Sequence, residues 1–189
     1  ALLSGGTGVA TVEANYSSRL GSAAAEFGVT MEDVAAADIA AQGPAFAWLD
    51  ALRAPISGAL RSGVLANGKL APISATLRIG KGVLQPNNET RPIPFQSAGT
   101  YFNYDPATRL LRFDEVTVDS KWVTGRAEGQ AMVGGLEGEV GQVDTLIGQF
   151  SASDLKFNPR DLYAVPVVLD GANLDFRLDL NPFRVTLGQ

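Results

Sequence analysis

Residues 173–180 read NLDFRLDL, and Leu174, Phe176, Leu178 and Leu180 alternate without a break against Asn173, Asp175, Arg177 and Asp179. Successive side chains of a β-strand point to opposite faces, so this segment fits a strand with one hydrocarbon face and one charged face. Such a strand belongs in a sheet that is wet on one side. The same period recurs. Ile73, Ala75, Leu77 and Ile79 oppose Ser74, Thr76 and Arg78, while Phe183, Val185 and Leu187 oppose Arg184, Thr186 and Gly188. Residues 7–16 alternate more loosely, with Ala10, Val12, Ala14 and Tyr16 on one side, and 19–28 is expected to return as an antiparallel partner after the turn-like SSRLG.

Between these runs lie turn signals. Asn67-Gly68 suits a hairpin turn with positive φ, Asp105-Pro106 the tip of a second hairpin, and Asp170-Gly171 a third. Lys81-Gly82 reads as a break, QPNNETRPIP (85–94) as a polar loop and the Gly-rich 134–142 as another loop. Further strands are expected over 122–133 and 143–157. Leu111 and Phe113 fall in one phase and Val116 and Val118 in the other, so the slip at Asp114-Glu115 predicts a bulge or short turn. With 21 Gly and 10 Pro spread along 189 residues, the chain suits many short strands joined by turns.

One region breaks the period. VTMEDVAAADIAAQ is Ala-rich, and Thr30 followed by Asp33 resembles a capping box. After Gly43-Pro44, the residues Ala45, Trp48, Leu49 and Leu52 fall at helical spacing. The residues thus predict a mainly β fold with a small α part, a two-helix insertion at about 30–53, and one β-rich segment over 1–189.

Composition removes several function classes. There is no His and no Cys, which takes away the commonest general base, thiolate chemistry, soft-metal sites and disulfides. The formal net charge is −5 and no basic run occurs, so nucleic acid is not an expected partner. No window of about 18 apolar residues offers a membrane-spanning helix. The opening ALLSGGTGVATVEANY is not a signal peptide, and both ends read as cuts within a continuing pattern, so the expectation is an internal segment of a longer chain.

Candidate catalysts have plainer readings. Asp175 and Asp179 alternate with Arg177 on a solvated strand face, with Asp170 in a turn. Asp114 and Glu115 point to opposite faces, Asp33 reads as a helix-terminus charge, and Ser120 and Lys121 diverge on a strand. GGTG at 5–8 and Gly80-Lys81-Gly82 lack the rest of a phosphate loop. Trp48 is expected to pack within its helix stripe.

Three stretches carry a further cadence: LDALRAPISGALRSGVLANGKLAPISATLRIGKGVLQP, SAGTYFNYDPATRLLRFDEVTVDS, and VDTLIGQFSASDLKFNPRDLYAVPVVLDGANLDFRLDLNPFRVTLGQ. Together they resemble the AsmA-like family of Gram-negative bacteria, in particular its long YhdP-type proteins, over residues 7–189. The resemblance implies a curved, largely antiparallel trough, apolar inside and polar outside, in the manner of bridge-like lipid-transfer proteins. It also implies a periplasmic location, a tether to the inner membrane outside this segment, phospholipid as the ligand, and membrane proteins as partners at the ends of the full-length chain. No cofactor, metal or catalysis is expected. The lipid-lining candidates are Leu174, Phe176, Leu178 and Leu180, with Ile73, Leu77 and Ile79. For these residues an ordinary core under a second layer stands as an open alternative. Two other functions stand beside lipid binding: a structural or protein-interaction β-domain of a long periplasmic or surface protein, and a carbohydrate-processing enzyme.

Overall fold

The computed structural model describes residues 2–3, 10–85, 87, 91–135, 143–159, 162–180 and 182–188. The fold is mainly β, and its principal element is an antiparallel sheet that curves and does not close. In chain order the strands are β1 (Leu2–Leu3), β2 (Ala10–Ser18), β3 (Ala25–Ala35), β4 (Leu52–Arg53), β5 (Pro55–Val64), β6 (Ile73–Ile79) and β7 (Gly82–Leu84). There follow β8 (Ile93–Phe95), β9 (Ser97–Asp105), β10 (Leu110–Asp119), β11 (Val123–Gly134), β12 (Thr145–Phe157), β13 (Val167–Leu180) and β14 (Phe183–Gly188). Eleven of these line up as β1-β2-β3-β5-β6-β9-β10-β11-β12-β13-β14, and β4-β7-β8 form a small second sheet. Spatial order follows chain order, so short hairpin connections suffice for most of the sheet.

Turn chemistry accounts for the hairpins. Gly68 has φ 78°, the left-handed conformation that the Asn67-Gly68 signal requires. At the tip between β9 and β10, Asp105 Oδ1 accepts from the Ala107 N–H at 2.9 Å and Oδ2 from the Thr108 hydroxyl at 2.9 Å. These two donors, with a third from the Thr108 N–H, hold the Asp105 carboxyl below its ordinary pKa.

The helical insertion is smaller than expected. Residues 30–35 are strand, not helix. A short α-helix, α1, covers Ala36–Ala40 and a 3₁₀ helix covers Pro44–Ala51, while Leu52 and Arg53 belong to β4. Strand β3 pairs with β2 as far as Glu32 and with β5 through Val34 and Ala35, and this pairing outweighs the helix propensity of the alanines that follow. Asp33 is therefore no helix-terminus charge: it sits at φ 50° in a β-bulge, where its N–H donates to Ser57 Oγ at 3.0 Å.

Two more bulges occur. One falls between Phe113 and Glu115, where the slip at Asp114-Glu115 was expected. The other displaces β12 against β11 around Asp154, at φ 53°. The Asp170-Gly171 turn does not exist, because both residues lie inside β13, which pairs with β12 from Val167 to Asp179. The break at Lys81 does occur between β6 and β7, but Gly82 already opens β7. The GGTG segment, most of the Gly-rich 134–142 stretch and part of 85–94 lie outside the described residues.

The left-handed bulge residue yields a direct test. A β-branched side chain is strained at positive φ by about 1–2 kcal/mol, whereas glycine is not. Asp154→Val is expected to lower stability by about that amount and Asp154→Gly to be nearly neutral, as read by urea unfolding midpoints.

Candidate binding face

In an antiparallel ladder, directly opposed residues project from the same face. Following the register across the sheet therefore sorts every strand into two sides. Leu178 opposes Leu146 and Val185, Leu174 opposes Phe150, and Phe176 opposes Gly148 and Leu187. Phe150 opposes Gly129, which opposes Phe113, which opposes Phe102. Phe102 opposes Ala75, Tyr104 opposes Ile73, Leu77 opposes Thr100 and Ile79 opposes Ile56. Beyond β5 the same side carries Leu60, Val29 and Ala14, then Met31 and Val12. One face from β2 to β14 is thus apolar almost throughout, with Thr100 and Tyr104 among its few polar groups.

The seven candidate residues named from the sequence all lie on this face. Leu174, Phe176, Leu178 and Leu180 stand on β13, and Ile73, Leu77 and Ile79 on β6. The structure divides them, however. Leu77 and Ile79 pack against a buried cluster of Ala36, Ala40, Leu49, Leu52, Ile56 and Phe95, which α1, the 3₁₀ helix and the small sheet build over one end of β3, β5 and β6. Trp48 packs there too, as its helical stripe implied. No residue of β9 to β14 joins that cluster among the described residues.

Over β9 to β13 the face is organised by rings, a feature the alternation alone did not reveal. Phe102 and Phe113 lie 6.4 Å apart between centroids, Phe113 and Phe150 5.2 Å, and Phe150 and Phe176 4.6 Å in a near-parallel stack of 14°. Phe113 and Phe150 stand on β10 and β12, two strands apart, and would not meet over an ordinary residue. Gly129 lies between them and leaves the space open; a Cβ there would meet the Phe150 ring and the Gln149 carbonyl. Gly148, opposite Phe176, is equally crowded by the Gln130 carbonyl. The signal that could have found this ladder is the two glycines at apolar positions beside aromatics.

Burial on this face is graded. Phe176 and Leu180 are 9% and 8% exposed. Ala75, Ala131 and Ala152 are buried in the middle of the sheet. No large side chain among the described residues falls below 2%. Tyr104 is partly covered, and burial is the main cause raising its phenol pKa, offset by Arg109 and reinforced by Asp105. The Thr100 Oγ1 is buried without a hydrogen-bond partner.

The opposite face is polar and engages itself. Arg177 Nε donates to Asp179 Oδ1 at 2.9 Å. Ser74 donates to Asn103 Oδ1, and Asn103 Nδ2 to Asp114, both at 2.6 Å, tying β6, β9 and β10 together. An open hollow of about 920 Å³ on this side is bordered by Arg112, Asp114, Glu128, Gln130, Gln149 and Asp175. Ser120 is occupied by its own turn: Oγ accepts from the N–H groups of Trp122 and Val123 and donates to the Val123 carbonyl. Among the described residues, no three acidic side chains gather as a metal site. No helix among them is long and apolar enough to cross a membrane.

Compared with known protein families, with curated proteins and with solved structures, the chain has no significant match in any of the three.

Two substitutions test this description. Gly129→Ala is expected to cost about 1–3 kcal/mol by overpacking between the rings and against backbone, measured by chemical denaturation. Thr100→Val keeps the shape and removes an unsatisfied hydroxyl, so stability should rise by up to about 1 kcal/mol; a fall would show that the hydroxyl has a partner.

Proposed function

We propose that the apolar face over β9 to β14 binds acyl chains, and that the protein works without chemistry as a segment of an envelope lipid-transport system. The observation that carries this reading is a hydrocarbon face with no second layer over β9 to β14 among the described residues, although Phe176 and Leu180 are themselves closed off by their neighbours. A one-sided sheet ordinarily packs its apolar side against a second layer. Here, among the described residues, the covering helices and small sheet reach β3, β5 and β6 and add no side chain to the core beyond them. The ring ladder extends from β9 to β13, four inter-strand steps, or about 19 Å at ~4.8 Å per step. That is comparable to one acyl chain, which reaches about 15 Å, half of a ~30 Å hydrocarbon core.

Each methylene laid on such a face gains roughly 0.8 kcal/mol when fully buried. Contact on one side alone supplies less, which suits a ligand that is held and passed on. The resemblance to AsmA-like proteins supplies the setting: the periplasm of a Gram-negative cell, with a tether to the inner membrane and partner membrane proteins contributed elsewhere in the full-length protein. Phospholipid is the ligand in this reading, and neither cofactor nor nucleic acid takes part.

A photo-crosslinking amino acid at Phe176, with Arg177 as the opposite-face control, tests this in cells. Phospholipid adducts at Phe176 and none at Arg177 are expected. Solvent extraction of the purified protein followed by mass spectrometry should also release phospholipid. Capture at neither position, with nothing extracted, would leave the face as a core and end the lipid reading.

A further inference from the structure

Leu162, Tyr163, Ala164, Val165 and Pro166 follow one another in the loop between β12 and β13, and all five are exposed, Leu162 at 71% and Val165 at 72%. Val168 and Leu169, just inside β13, are exposed as well. Residues 162–169 include no charged side chain, and the Tyr163 phenol is the one side chain among them that can hydrogen-bond. Exposed apolar runs longer than about three or four residues are a liability in water unless they serve a contact.

The backbone of this run is held from inside. The Asn158 side-chain amide grips Tyr163 at two points: Nδ2 donates to the Tyr163 carbonyl and Oδ1 accepts from the Tyr163 N–H, both at 2.9 Å. The Leu162 N–H donates to the Pro159 carbonyl at 3.2 Å, and Pro166 has no N–H to satisfy. Asn158 is itself anchored, its N–H donating to the Trp122 carbonyl at 2.7 Å. A loop that stays in water needs none of these pairings, because water supplies them. A loop that enters hydrocarbon does need them, because an unpaired backbone group is costly there.

Size and charge select the partner. A stable protein interface draws about 800 Å² and some 20–30 residues from each side, and this run is far smaller. Side chains that sink into a bilayer need no such area, since each buried methylene contributes on its own. With a net charge of −5 on the chain and none on residues 162–169, the loop offers no attraction to anionic headgroups, so attachment must be hydrophobic. Tyr163 suits the boundary between hydrocarbon and water, its ring apolar and its hydroxyl wet. We infer that the loop at 162–166 inserts Leu162, Tyr163 and Val165 into the surface of a phospholipid bilayer. This contact goes beyond acyl-chain binding by the sheet and stands on the loop alone.

The chain contains no Cys, so Val165→Cys takes a single environment-sensitive fluorophore. Lys69→Cys, in the hairpin between β5 and β6 at the other end of the strands, is the control. On addition of phosphatidylcholine vesicles, emission from position 165 should shift to the blue and be quenched by lipids brominated on their acyl chains. Position 69 should show neither change. In cosedimentation with the same vesicles, Val165→Ala should weaken binding about tenfold, the scale of two methylenes no longer buried. Leu162→Asp should abolish binding, with circular dichroism confirming that each variant is folded. Binding of the unmodified chain should persist at high salt. No shift at position 165, equal shifts at both positions, or binding that survives Leu162→Asp would overturn the inference. Adducts at Phe176 play no part in these readouts, so this inference and the acyl-chain reading can fail separately.

Discussion

Everything in this molecule depends on register. In a sheet with a side-chain period of two, a slip of one residue carries every apolar side chain to the solvent face. Here the same face must stay apolar across ten successive strands, with few residues elsewhere to bury a misplaced one. Antiparallel pairing between consecutive strands fixes that register locally, through turns such as Asp105–Leu110 and the one closed by Gly68. The three bulges then correct the phase where the alternation changes. Each inserts one residue, and each has aspartate at the inserted position or beside it: Asp33, Asp114 and Asp154. Aspartate tolerates the left-handed conformation better than most residues, and Asp33 and Asp154 adopt it.

The bulges also explain what was and was not legible in the amino-acid sequence. Strands with unbroken alternation, above all Leu174–Leu180 and Ile73–Ile79, could be read with their faces. The bulge at Asp114-Glu115 was visible as a slip because clean alternation flanks it on both sides. At Asp33 the same device misleads. The inserted residue places Met31 and Val34 on one face, a spacing of three, and among alanines that spacing mimics a helix. Asp170-Gly171 misled differently: a dipeptide that commonly closes hairpins lies inside a long strand, held by pairing with β12. Neither outcome follows from local propensity, because partner strands distant in sequence decide it.

The candidate site was legible in the same partial way. That Leu174, Phe176, Leu178 and Leu180 share a face follows from period two. That Ile73, Leu77 and Ile79 share it with them depends on strand order, which no single segment encodes. The ring ladder needed more still, since Phe102, Phe113, Phe150 and Phe176 are brought into line by four separate pairings and by the room left at Gly129. Which part of the face the helices cover was not written in any local pattern either. It results from the return of the chain through Ala36–Ala54 onto the ends of β3, β5 and β6, where the Ala36 N–H donates to the Ala54 carbonyl at 3.1 Å.

Strand order that follows chain order has a mechanical and kinetic meaning. Each strand pairs chiefly with the one before and the one after, so the sheet can zip up hairpin by hairpin, which favours faster folding than pairing between strands distant in the chain. Among the described residues no second layer joins β9 to β14, so stability in that half is close to a sum over neighbouring strand pairs, as in repeat proteins. Such a sheet opens from its rim inward. Hydrogen-exchange protection should accordingly be graded, lowest on β14, higher through β13 and β12, and greatest where the helices clamp β3, β5 and β6.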